Sequence, residues 1–146
     1  MGLMSQARIN HMELTVARGT LEAMMPALKS FYCNALGLVP AHLDAFPGPH
    51  VFLNSDDFKS FFIYVAEHEQ PMIVRGDDHL GFHMQDDRAV DHVLEACRGV
   101  AKADARMEIR ELDDLDLELT HTHAFYFRYL LPIWFDVQHI EFKKAP

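Results

Sequence analysis

At 146 residues, with 22 acidic against 13 basic side chains and a formal net charge of −9, the chain suits one domain burying about 70% of its unfolded surface. The acidic balance argues against nucleic acid and anionic membrane as partners, since both need a basic face. A hydrophobic fraction of 49% excludes a disordered chain, and no apolar run approaches the roughly 20 residues of a membrane span.

The N-terminal stretch Met1–Arg8 lacks the charged start and long apolar run of a secretory leader. Gln6 also stands where a myristoylation motif wants Ser or Thr. The first strand is expected over Ile9–Val16, where alternation turns His11, Glu13 and Thr15 to one face. A turn at Ala17–Thr20 follows, with Thr20 as the expected N-cap of a helix through Leu21, Met24, Met25, Leu28, Phe31 and Tyr32. Pro26 lies inside this pattern and moves the expected helix start toward itself, where a first-turn proline is tolerated. Leu36-Gly37-Leu38 supplies the glycine stop. Strands are expected at Val39–Ala45, Val51–Asn54 and Phe61–Ala66, separated by Pro47-Gly48-Pro49 and Ser55-Asp56-Asp57 turns.

The polar stretch Glu67–Asp78, with Pro71 and Gly76, makes a crossover, and the pattern then begins again. In the strand from His79, the residues His79, Gly81 and His83 point one way and Leu80, Phe82 and Met84 the other. Asp86-Asp87 opens a second helix, through Val90, Val93, Leu94, Cys97 and Val100. Met107–Glu111 is a short strand, Asp113–Asp116 an acidic turn read as solvated, and Thr120–Tyr129 and Ile133–Phe142 are two long strands joined around Leu130-Leu131-Pro132. Each half therefore reads β-α-β-β-β, a duplication within one domain spanning 1–146, with module one at about 8–67 and module two at about 78–142. Cys33 and Cys97 fall on separate expected helices, too few for a disulfide scaffold or a four-thiolate metal site. The expectation is a reduced, soluble, cytoplasmic protein.

Of ten histidines, His11, His79, His83, His121 and His123 fall on expected strands, whereas His42, His50, His68, His92 and His139 read as loop, surface-helix or strand-end residues. Three stretches carry a resemblance to the vicinal-oxygen-chelate superfamily of glyoxalases, bleomycin- and fosfomycin-resistance proteins and extradiol dioxygenases. Ile9–Val16 resembles the opening strand with its metal-ligand histidine. Phe31-Tyr32-Cys33-Asn34-Ala35-Leu36-Gly37-Leu38 matches the FYxxxLGL helix end, and His79-Leu80-Gly81-Phe82 is similar to the strand that carries the second ligand histidine. The resemblance implies an α+β fold of two βαβββ modules forming an open, cupped mixed sheet, and a homodimer that binds a small-molecule substrate. It also implies a divalent metal held by His11, His79 and a third, acidic ligand.

That third position departs from the family. Phe125-Tyr126-Phe127-Arg128 runs on into Tyr129-Leu130-Leu131-Pro132 where members carry a DPDG turn. An ungapped alignment gives Asp136 as the ligand; a longer hairpin would give Glu141 instead, and Asp136 is favoured. Two imidazoles and a carboxylate leave open positions and suit Fe(II) first, with Mn(II), Ni(II) or Zn(II) compatible. The glyoxalase I type carries a second glutamate on the last strand of module one, but Phe61–Val65 has no carboxylate. The set is thus more similar to extradiol dioxygenases, which chelate a catecholate and use a histidine and a tyrosine.

Tyr126 precedes Asp136 by ten residues, as that tyrosine does, and His123 is taken as the acid-base residue, with His121 and His83 as alternatives. Glu13, two residues beyond His11 on its face, is a further candidate base. Trp134 and Gln138 share the face of Asp136 as wall or core residues. Two other readings stand beside the dioxygenase. One is a glyoxalase-like lyase, isomerase or epimerase, and the other is a metal-free small-molecule binding protein of the resistance type.

Overall fold

The computed structural model describes residues 8–143, and the chain divides into two compact units between Pro71 and Met72. The first unit runs β1 (His11–Ala17), α1 (Leu21–Leu36), β2 (Val39–Ala41), β3 (His50–Asn54) and β4 (Phe62–His68). Its sheet has the order β1-β4-β3-β2, with β1 parallel to β4 and the other pairs antiparallel. Alternation divides the sheet. Leu14, Val16, Leu53, Ile63 and Val65 are buried on one face and form the core with Leu21, Leu28, Phe31 and Tyr32 of α1. The other face carries His11, Glu13, Phe52, Asn54, Phe62 and Tyr64.

Helix α1 begins earlier than Pro26, at Leu21, and the proline is its sixth residue. Thr20 occupies the N-cap position without capping, because its hydroxyl donates back to the Ala17 carbonyl at 2.6 Å. The Glu67 carboxylate does the capping from the end of β4, accepting from the backbone N–H groups of Gly19 at 2.9 Å and Leu21 at 2.8 Å. Gly37 ends the helix as expected. Its φ of 67° lets its N–H reach the Cys33 carbonyl while that of Leu38 reaches Tyr32, a Schellman closure.

The second unit runs β5 (His79–His83), α2 (Asp87–Ala101), β6 (Glu108–Glu111), β7 (Leu115–Asp116), β8 (Thr120–Arg128) and β9 (Trp134–Phe142). The Asp86 side chain caps α2 through the Ala89 N–H at 2.8 Å. The sheet order β5-β9-β8-β6, with β5 parallel to β9, repeats that of the first unit, so the duplication extends to topology and strand direction. Phe82, Phe125, Phe127, Phe135 and Val137 point to the α2 side of this sheet, where Val90, Val93 and Cys97 are buried. The acidic turn is exposed as expected, but two of its residues also form a strand: β7 pairs with β8 through Leu115–Thr122 and Asp116–His121.

Candidate functional site

On the face of the second sheet turned away from α2, three neighbouring strands bring chemistry together. Gly81 of β5 and Tyr126 of β8 are both register partners of Asp136 on β9. Partners across a sheet point to the same side, so His79, Asp136 and Tyr126 share one face. Gly81 places no side chain beside the carboxylate. The His79 Nε2 stands 3.8 Å from Asp136 Oδ2, too far for a hydrogen bond, and the Tyr126 ring stacks on the imidazole with centroids 5.0 Å apart.

Two details prepare this pair for a cation. His79 Nδ1 lies 2.8 Å from the Asp77 carbonyl. A carbonyl only accepts, so Nδ1 carries the proton and the Nε2 lone pair faces the carboxylate. Asp136 is only 6% exposed, and its Oδ1 is buried with no hydrogen-bond partner. Burial pushes its carboxyl above the usual range, against the opposing pull of His79. A buried carboxylate with one oxygen orphaned and the other facing an imidazole lone pair is an arrangement that a divalent cation completes. The donor set therefore fits the metal implied by the sequence. Among the described residues no group of three or more His, Cys, Asp or Glu side chains is placed to hold an ion, so His79 and Asp136 stand as a pair.

The first unit shows the same preparation at its opening strand. His11 Nδ1 lies 2.8 Å from Asn10 Oδ1, which leaves Nε2 as the lone-pair nitrogen, and the ring stacks on Phe62 at 4.9 Å. Glu13, exposed on the same face, is the register partner of Tyr64. Burial raises the Tyr64 phenol, and the Glu13 charge adds to the rise. Around them Phe46, Phe52, Phe58, Phe62 and Tyr64 form a continuous aromatic cluster, with Phe52 stacked on Tyr64 at 4.7 Å. Asn54 closes one end, with Nδ2 bonded to the Val39 carbonyl and Oδ1 buried without a partner.

The other expected site residues separate by face. Glu141 points away from Asp136, to the α2 side of β9, which leaves Asp136 as the carboxylate beside His79. His123 requires a correction: it lies three positions before Tyr126 on β8, an odd offset, so it too points to the α2 side. There it is bonded to Asp91 and Asp114, and His121 shares that side. Neither reaches the His79–Asp136 pair. His83 lies on the correct face, with Nε2 accepting from the Ile140 N–H at 3.3 Å. Trp134 is a buried wall residue, flanked by the guanidinium groups of Arg110 at 4.0 Å and Arg128 at 4.8 Å from the ring centroid. Burial raises the Tyr126 phenol, and the charges of Asp136 and Asp77 raise it further, so it remains a proton donor at neutral pH. The Nδ1 tethers through Asn10 and Asp77 were not anticipated, although an Asn directly before a strand histidine was a signal for one of them.

No helix among the described residues is long and apolar enough to cross a membrane. No protein-family model matches the sequence, and no curated protein does. Solved structures do match. The fosfomycin resistance protein FosX from Listeria monocytogenes is 15% identical over 97% of both chains, with a TM-score of 0.62. A glyoxalase/bleomycin resistance protein from Albidiferax ferrireducens is 18% identical over 90% of this chain and 97% of its own, with a TM-score of 0.59. An integron cassette protein from the mobile metagenome of V. cholerae is 22% identical over 94% of this chain and 98% of its own, with a TM-score of 0.57. At these identities the likeness establishes the fold alone, that of paired βαβββ modules.

Proposed function

We propose that the chain is a divalent-metal-dependent enzyme acting on a small substrate with vicinal oxygens, and that its finer activity is extradiol-type ring cleavage of a catechol-like compound. The observation that carries the metal is the buried Asp136 carboxylate, whose Oδ1 meets no donor and whose Oδ2 stands 3.8 Å from the lone-pair nitrogen Nε2 of His79. His11, tethered in the same way, is the ligand that the resemblance assigns to module one. A bound ion there would chelate two substrate oxygens and stabilise the deprotonated form of the nearer one.

The residues of the chain supply the rest. Tyr126, held in its protonated form, donates a hydrogen bond to a substrate oxygen from its place beside Asp136 and against the His79 ring. The aromatic face of module one offers π-surface of the kind that a planar ring stacks on. The ring-cleaving reading is favoured by β4, which turns Phe62, Tyr64 and Ala66 to the face of His11, where the glyoxalase I type would place a carboxylate. Its test is oxygen uptake. Protein reconstituted with Fe(II) under anaerobic conditions should consume about one dioxygen per catechol when air is admitted, and Tyr126→Phe should slow turnover by about 10²-fold or more. Metal-loaded protein inert toward a panel of catechols would remove this reading.

One observation favours a second chemistry. Glu13 is an exposed carboxylate on the strand and face of His11, beside Tyr64, and so is placed as a base for isomerase or lyase chemistry. Deuterium exchange next to a substrate carbonyl without oxygen consumption, lost in Glu13→Gln, would select it.

A further inference from the structure

The α2 side of the second sheet carries a lattice of imidazoles and carboxylates that the proposed reaction does not use. His123 of β8 stands with Nδ1 2.6 Å from Asp114 Oδ1 and Nε2 2.9 Å from Asp91 Oδ1. Next to it, His121 has Nδ1 3.0 Å from Asp116 Oδ1, while its Nε2 faces Asp114 at 3.7 Å and Asp87 at 3.8 Å. His139 of β9 is bonded through Nδ1 to Asp87 at 2.7 Å. Asp87 and Asp91 belong to α2, and Asp114 and Asp116 to the segment between β6 and β8.

A carboxylate only accepts hydrogen bonds, so an imidazole that bonds one through each nitrogen must carry a proton on both. The bonds of His123 therefore require the imidazolium. Little else fastens the segment. Strand β7 pairs with β8 at two positions, the Leu117 N–H reaches the Thr120 carbonyl at 2.8 Å, and Lys143 reaches the Leu117 carbonyl with its side chain and the Leu119 carbonyl with its backbone N–H at 2.9 Å. Its leucines 112, 115, 117 and 119 are each about half exposed and bury too little to anchor it.

We propose that residues Leu112–Leu119 form a proton-operated latch: His121 and His123 as imidazolium ions clamp the segment to β8 and α2, and the segment is released when they lose those protons. Once the rings are neutral, each has a lone pair turned toward a carboxylate, and the four aspartates repel one another. The remaining charges do not compensate. Glu141 is the register partner of His121 and adds negative charge, Glu111 is already held by Arg98 at 2.7 Å, and of the four aspartates Lys143 pairs with Asp116, at 3.2 Å.

The direction in pH follows. Bonds to Asp116 raise the His121 imidazole, and bonds to Asp114 and then Asp91 raise that of His123. With the folded values above the ordinary one, the clamp is fully present below about pH 6.5 and is lost as pH rises through the folded values.

Hydrogen exchange of peptides covering 112–119, in a chelator so that no cation replaces the protons, tests this directly. After correction for intrinsic exchange, protection should fall severalfold or more between about pH 5.5 and pH 8.5, as the clamp loses its protons. His123→Gln should leave the segment weakly protected at both pH values, with β9 and α2 still protected. Asp114→Asn, which leaves the sheet untouched, should do the same and serves if His123→Gln does not fold. Wild-type protection equal at both pH values, or an Asp114→Asn segment as protected as wild type at pH 5.5, would overturn the latch.

Discussion

Asp136 is 6% exposed, one of its oxygens meets no donor, and the nearest cationic candidate stands 3.8 Å away. A carboxylate in that position costs the fold a few kcal/mol, and only an ion or a proton relieves it. Asp136→Asn should therefore act in two opposite directions. The metal-free protein should melt at the same or a higher temperature, by up to about 2 kcal/mol in stability, while bound metal falls to background. Calorimetry of chelator-treated protein checks the first half. A metal-free variant that is strongly destabilised would show that Asp136 is held by something other than a cation.

Cys97 makes the contrasting case of a buried titratable group with an ordinary purpose. It is fully buried on α2, and burial pushes its thiol up to about 12. Alkylation at neutral pH followed by mass spectrometry should modify the partly exposed Cys33 and spare Cys97 until the protein is unfolded.

Among the elements, α1 shows how a cap far away in sequence overrides local signals. Thr20 and Pro26 gave the local start signals, but Glu67 fixes the first turn by accepting two N–H groups from the end of β4. These bonds, first from Gly19 and then from Leu21, hold the Glu67 carboxyl below its usual range. A depressed acid stabilises the fold above its unfolded value of about pH 4.3, and that contribution is lost as pH falls through the folded value. Glu67→Gln should thus lower the melting temperature at neutral pH, and the difference from wild type should close below about pH 4. A gap that persists in acid would mean that packing, and not the charge, is lost.

The helix stop at Gly37 and the helix start at Asp86-Asp87 were legible because each rests on contacts between near neighbours. The strands were legible from alternation, whereas the preference for Asp136 over Glu141 came from the ungapped alignment with the family motif. Alternation also gave the face of His123, but it cannot say what covers a face. The aspartates that take up His121 and His123 come from α2 and from a stretch that reads as solvated by composition. The same limit hid the Asp77 tether, a carbonyl that no side-chain pattern announces.

Across the whole chain, the duplication is repeated in topology and in the device at each opening strand. With β7 set aside, both sheets have the order first-fourth-third-second, with the first strand parallel to the last. Both first strands begin with a histidine whose Nδ1 is bound to a nearby oxygen, so that Nε2 is left for a ligand. The resemblance in three short stretches was enough for this fold, because each stretch sits at a boundary that orders a module. It did not fix the chemistry, because the fold supports many reactions and the loop after Arg128 departs from the family pattern. The most direct measurement is elemental analysis of protein purified without a metal-affinity tag, for wild type beside His79→Ala, His11→Ala and Asp136→Asn. Wild type should hold a near-stoichiometric divalent metal, iron foremost, and all three variants should lose it. Folded wild-type protein that holds no metal even after reconstitution with Fe(II), Mn(II), Ni(II) and Zn(II) would contradict the metal site.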